Sequence, residues 1–287
     1  MFLYDFTIFY NAGLAVLAGL SPYRVPDFNG PYLQAMLFAP LALLPLPVAY
    51  VLYLAFNLFL LWRLLRKRSI WALLSFPVLF TLFVGQVDLP LALGIGAVPW
   101  LLPLAAIKPQ VGFVLAPWLL RHYSKRDWLK AAAVGITFLA LSFALRPAWV
   151  SEWLAGTTTF SLYALHASNL YYLVPGGWLD LRLDLIYVLS AAAFFAGFLL
   201  KDRKISWTAV SLFAPLSNIY SSAVLAEWFG PLEMAASYLA ILLTGGLIHE
   251  GMPMYLVGLA VIGRHVWPQL RTLWQRKSPG ILEKKSG

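Results

Sequence analysis

The sequence contains no cysteine at all. That excludes disulfides, thiolate nucleophiles and cysteine-ligated metals. Charge is nearly as scarce: only 11% of residues are Asp, Glu, Lys or Arg, against about 25% in soluble domains. The four histidines do not pair at metal-ligand spacing, so a metal site has no visible ligand set. Glycine-rich phosphate loops, nucleophile elbows and internal repeats are also missing, which leaves soluble nucleotide chemistry without a home. Residues 1–10 have no basic n-region and contain Asp5, so no cleavable signal peptide is read there.

What the chain does have is apolar surface. It is 61% hydrophobic with a mean hydropathy of +0.76, the composition of an integral membrane protein. Twelve Trp among 16% aromatics suit interfacial belts. The net charge of +9 lies in short clusters between apolar runs, which is a positive-inside pattern and implies no nucleic-acid partner.

Those clusters assign sides. Residues 43–62 form a span whose cytoplasmic end is Arg63–Arg68, which places the Asp5 segment externally. Residues 70–84 return outward to Gly85-Gln86-Val87-Asp88. Prolines at 90, 99, 103, 109 and 117 then divide residues 87–120 into short pieces, expected at 87–97, 100–107 and 110–120. Pieces of about 10 residues reach roughly 15 Å, half of a bilayer core, and must pack inside the bundle. A cytoplasmic cluster at 121–126 precedes an outward span over 128–145. Residues 184–200, 205–217, 219–230, 232–248 and 252–267 complete an expected all-α polytopic bundle of about nine to ten membrane segments. The chain reads as one membrane domain, 1–287. It has an external amphipathic helix and loop at 1–40, an external loop at 148–181 and a cytoplasmic tail at 268–287.

In the first forty residues Phe6, Phe9, Tyr10, Leu14 and Leu17 recur at helical spacing until Gly19. Asp5 opens this helix, either as its N-cap or as a site at the membrane surface. Arg24 and Asp27 follow in a loop after Ser21-Pro22-Tyr23. Lys108 sits at a break between apolar pieces, where it either snorkels to a headgroup or binds an anion such as a lipid phosphate. Gln86 and Asp88 flank a helix start, and Asn169 and Asn218 are polar loop residues.

Taken in order, these motifs resemble a known family. They run Asp5 and Tyr10, Gly19-x-x-Pro22-Tyr23, Tyr32…Pro40-Leu41, Gly85-Gln86-x-Asp88, Ile107-Lys108-Pro109, Ser168-Asn169 and Ala214-Pro215-Leu216-Ser217. The chain is similar to the polytopic GT-C glycosyltransferases, closest to family 87, the polyprenyl-phosphate-mannose-dependent mannosyltransferases. It departs from the family strings at Asp88 (usually Asn), Ala214 (usually Ser) and Gln34, where a proline is usual. A first transmembrane helix ahead of Asp5 is expected to be missing.

The resemblance implies inverting transfer of a hexose, mannose in the closest family, to a glycan or glycolipid acceptor at the external face of the cell membrane. The protein would be a multi-pass enzyme with no cofactor beyond its polyprenyl-phosphate sugar donor and no metal. Asp5 matches the general base, with Asp27 as fallback. Lys108 would meet the phosphate, helped by Arg24 or Arg146. Tyr10, Tyr23 and Trp153 would flank the sugar, and Gln86, Asp88, Asn169 and Asn218 fall in the remaining substrate-binding motifs. A transporter or lipid flippase is the alternative from the residues alone, since broken helices and a buried lysine suit that too, as is an inactive homologue.

Overall fold

The computed structural model describes residues 2–156, 170–173, 179–215, 219–246 and 253–277. Among these every regular element is helical. The α-helices are α1 (Tyr4–Leu17), α2 (Tyr32–Ala42), α3 (Leu46–Leu65), α4 (Ser69–Leu74), α5 (Phe76–Val84), α6 (Asp88–Ala97) and α7 (Pro109–His122). They continue with α8 (Lys125–Leu145), α9 (Trp149–Gly156), α10 (Leu179–Leu199), α11 (Arg203–Leu212), α12 (Pro231–Leu243) and α13 (Tyr255–Lys277).

The breaks follow the prolines and glycines. Pro99–Ile107 forms a nine-residue 3-10 helix, long for a geometry usually confined to three or four residues. Pro103 supplies no N–H, which rules out the α-helical bond to the Pro99 carbonyl, and the Tyr123 hydroxyl donates to that carbonyl. Ile219–Trp228 is also 3-10, where the sequence pattern implied a membrane span at 219–230. At α1 the expected apolar stripe is only partly buried. Phe6, Phe9 and Tyr10 enter the core, whereas Leu14 and Leu17 are exposed.

Two stretches are long and apolar enough to cross a membrane, Leu46–Leu74 and Lys125–Leu145. The pair α5 and α6 also qualifies, but is bent by 112° at Gly85-Gln86-Val87. Among the described residues that makes two or three candidate spans, fewer than the nine to ten segments read from the sequence. Tyr32–Ala42, Asp184–Leu199 and Pro231–Leu243 are apolar but shorter, below the length that crosses a bilayer core alone. The chain reverses inside Leu46–Leu74, because tyrosines near the start of α3 bond to the far end of α5. Tyr50 donates to Leu82 O at 2.8 Å and Tyr53 to Gln86 O. The reversal falls at Arg66, whose φ is +50°.

Aromatic packing fixes α1 against this hairpin. The Phe6 ring meets Phe38 of α2 and Tyr50 and Tyr53 of α3 at 5.2–5.9 Å. Backbone follows ring: Leu3 N donates to Phe83 O at 3.1 Å. Gly85 ends α5 in a left-handed conformation, φ +80°, and any Cβ there would lie 2.4 Å from that of Phe6. Only glycine meets both demands. The bent apex bearing Gln86 is thereby pressed against the first turn of α1, which carries Asp5.

Candidate active site

A cavity of about 430 Å³ opens where these elements meet. Its lining includes Asp5 and Phe9 from α1, Asp27, Asn29 and Gly30 from the following loop, and Gln34 from α2. Gln86 comes from the bent apex, Lys108 and Gln110 from the start of α7, Trp153 from α9, and Tyr220 from the second long 3-10 segment. Residues spread over more than two hundred positions of sequence thus share one wall.

Asp5 lies in the first turn of α1, but the N-cap position belongs to Leu3. The carboxylate thus stands two residues past the N-cap and on the cavity wall. Asp27 accepts a 2.7 Å bond from the Tyr4 hydroxyl and sits at φ +63°, a left-handed conformation that side chains seldom adopt.

A network outside the cavity holds this loop. Ser21 Oγ donates to Glu152 Oε2 at 2.6 Å. Arg146 clasps Glu152 through Nε and Nη2 at 2.8–3.2 Å. Trp153 Nε1 donates to Asn29 O at 2.9 Å. Bonds from Arg146 and then from Ser21 favour the anion and hold the Glu152 carboxyl below the ordinary range. Burial first, and the nearby Glu152 charge second, push the Tyr23 phenol well above its usual value.

Lys108 is the N-cap residue of α7, and its side chain is 12% exposed. Nζ donates to Gln86 Oε1 at 2.9 Å, stands 3.4 Å from Asp88 Oδ2, and lies 4.7 Å over the Tyr220 ring. Asp88 is the fully buried first residue of α6. It borders not this cavity but a neighbouring void of about 20 Å³, room for about one water. Snorkelling to a headgroup does not describe this lysine, because its ammonium is held inward by three partners. An ammonium has three donors. Gln86 takes one, and Asp88 attracts the ammonium as an ion-pair partner without accepting a hydrogen bond.

The other sequence candidates are placed as follows. Tyr10 is buried and donates to Leu44 O at 2.7 Å, joining α1 to the end of α2. Tyr23 and Arg24 occupy the short 3-10 turn Pro22–Arg24 beside the cavity and do not line it. Arg146 is engaged by Glu152. Asn169 and Asn218 lie outside the described residues. Sequence reasoning missed Gln34, Gln110 and Tyr220 as cavity residues. The signal for Gln34 was present: it is the lone polar residue of an apolar helix, YLQAMLFAPLA.

The cavity lies at the end of the bundle away from the basic clusters. α3 starts beside Gln86 and ends at Arg63–Arg68, and α7 starts at Lys108 and ends at Arg121. α8 runs from Lys125 back toward α9 and Trp153. No group of three or more His, Cys, Asp or Glu that could hold a metal occurs among the described residues.

Fold and site together define a helical membrane protein with an acid- and amide-lined cavity and a fixed ammonium on its wall. The chain belongs to glycosyltransferase family 87, whose family model matches residues 28–216, well over half its length. It is therefore a glycosyltransferase, which decides against the transporter and flippase alternatives. Gln34, Gln86, Asp88, Lys108 and Trp153 fall within the matched stretch; Asp5 and Asp27 precede it, and Tyr220 follows it. No curated protein and no solved structure matches the chain.

Proposed function

We propose that the protein transfers a hexose, mannose first among the candidates, from a polyprenyl-phosphate carrier to a hydroxyl of a glycan or glycolipid. The reaction would run at the external face of the cell membrane, in a multi-pass enzyme. The observation that carries this reading is the shared cavity: Asp5, Asp27 and Lys108 line one space of about 430 Å³. An acceptor hydroxyl is a poor nucleophile at neutral pH and needs a base for its proton. In the proposed step the acceptor oxygen bonds to the anomeric carbon from the face opposite the phosphate. The carbon–oxygen bond to phosphate breaks, configuration inverts, and Asp5 receives the hydroxyl proton. Polyprenyl phosphate departs with the bonding pair.

Charge on the departing phosphate is met by Lys108 and by the N-terminal end of the α7 dipole, both of which favour an anion. Asp88 offsets part of the lysine charge and fixes its position. The prenyl tail leaves between helices whose outer surfaces are apolar, which is why the site belongs at the edge of a bilayer.

The test is Asp5→Asn in purified protein, assayed with synthetic polyprenyl-phosphate mannose. Loss of a general base lowers turnover roughly 100- to 10,000-fold, and binding of the carrier is expected to survive. Transfer at the parent rate by Asp5→Asn would move the base to Asp27.

A further inference from the structure

Resting on that reading of the cavity, we infer that Gln34 is the residue that reads the sugar, hydrogen-bonding adjacent hydroxyls of the hexose while Lys108 holds the phosphate. Gln34 stands in the first turn of α2, its backbone N bonded to Pro31 O at 2.9 Å. The residue is 2% exposed and lines the cavity. Among the described residues the hydrogen bond seen for Gln34 is that of its backbone, and its side-chain amide is not engaged. The amide borders the cavity, so its donors and acceptor are open to whatever occupies that space.

Its position is enforced from outside. A Cβ on Gly30 would lie 1.8 Å from Gln34 Oε1 and 2.8 Å from Cδ. The bare backbone at Gly30 is what allows the amide to rest where it does.

An amide presents one acceptor oxygen and two donor hydrogens. A phosphate dianion offers only acceptors and cannot satisfy the oxygen. Neighbouring sugar hydroxyls offer both a donor and an acceptor, at the spacing that a carboxamide spans. Gln110 adds a second amide to this wall: its Oε1 is buried without a partner and it lines the same cavity. Gln86 differs, because its oxygen is already taken by Lys108. The amides thus divide, with Gln86 serving the phosphate end and Gln34 the sugar.

The experiment is calorimetric titration of the purified full chain in detergent with polyprenyl phosphate, polyprenyl-phosphate mannose and polyprenyl-phosphate glucose. Gln34→Leu should weaken the two sugar carriers about tenfold, the worth of roughly 1.4 kcal/mol, and leave bare polyprenyl phosphate within about twofold. Gly30→Ala keeps the glutamine but displaces its amide, so it should give the same split. The double variant should be no worse than Gln34→Leu alone. Unchanged affinity for the sugar carriers overturns the inference, as does an equal loss for all three carriers, which marks a merely structural residue. A parent protein that binds none of the three refutes the donor reading itself, a result separate from any effect of Gln34.

Discussion

Removing Lys108 tests whether it is structural, functional or both. Asp88 is fully buried, and the ammonium 3.4 Å away is the cation paired with it. At an effective dielectric near 20, two unit charges at that distance attract by about 5 kcal/mol before desolvation is counted. Deleting one partner of such a pair typically costs about 3–5 kcal/mol, because the other charge stays buried and uncompensated. The position of Asp88 at the start of α6 returns at most about 1–2 kcal/mol through the helix dipole. Lys108→Met should therefore lower the thermal midpoint by roughly ten degrees. Asp88→Asn keeps the Gln86–Lys108 bond and should cost less.

The double change Lys108→Met with Asp88→Asn removes both charges and should recover most of the lost stability. The measurement is thermal unfolding of all four proteins in one detergent, followed by carrier binding and sugar transfer. A structural lysine predicts recovery of both stability and turnover in the double variant. A lysine that also holds the phosphate predicts recovery of stability alone. If Lys108→Met is as stable as the parent, the pair does not carry the charge balance argued here and the reasoning fails.

Three further outcomes follow from the geometry. Gly85→Ala must adopt a positive φ and place a methyl 2.4 Å from Phe6 Cβ. It should cost about 2–5 kcal/mol, read as a lowered unfolding midpoint; a parent-like midpoint refutes the close approach. Glu152 has a depressed pKa, so its stabilisation is present above the unfolded value near 4.5 and is lost as pH falls through the lower folded value. The difference between parent and Glu152→Gln should be under about 1 kcal/mol at neutral pH and vanish on acidification. Cysteines placed at Lys125 and Ser151, both exposed and separated by α8, should label oppositely with a membrane-impermeant thiol reagent in intact cells; equal labelling overturns the proposed sidedness.

Composition and local pattern made much of this protein readable. Sparse charge and long apolar runs specified a helical membrane protein, since the burial cost of charge is a property of each residue alone. Prolines and glycines placed the breaks, because a missing N–H or a left-handed φ acts on its own neighbours. The short pieces at 87–97, 100–107 and 110–120 accordingly reappear as α6, a 3-10 helix and α7. Asp5 and Lys108 stood out as rare charges in apolar surroundings, and both line the cavity.

Tertiary structure decided what those residues touch. Lys108 meets Gln86 and Asp88 across about twenty positions of chain, and Gln34 is aimed by Gly30 beside it in a loop that Glu152 and Trp153 fasten down. Tyr10, which resembled a sugar contact by its place in a motif, gives its hydroxyl to Leu44 O in the core. Periodicity records which way a side chain faces on its own helix. Which partner waits there depends on how far-apart helices pack, and no local spacing encodes that.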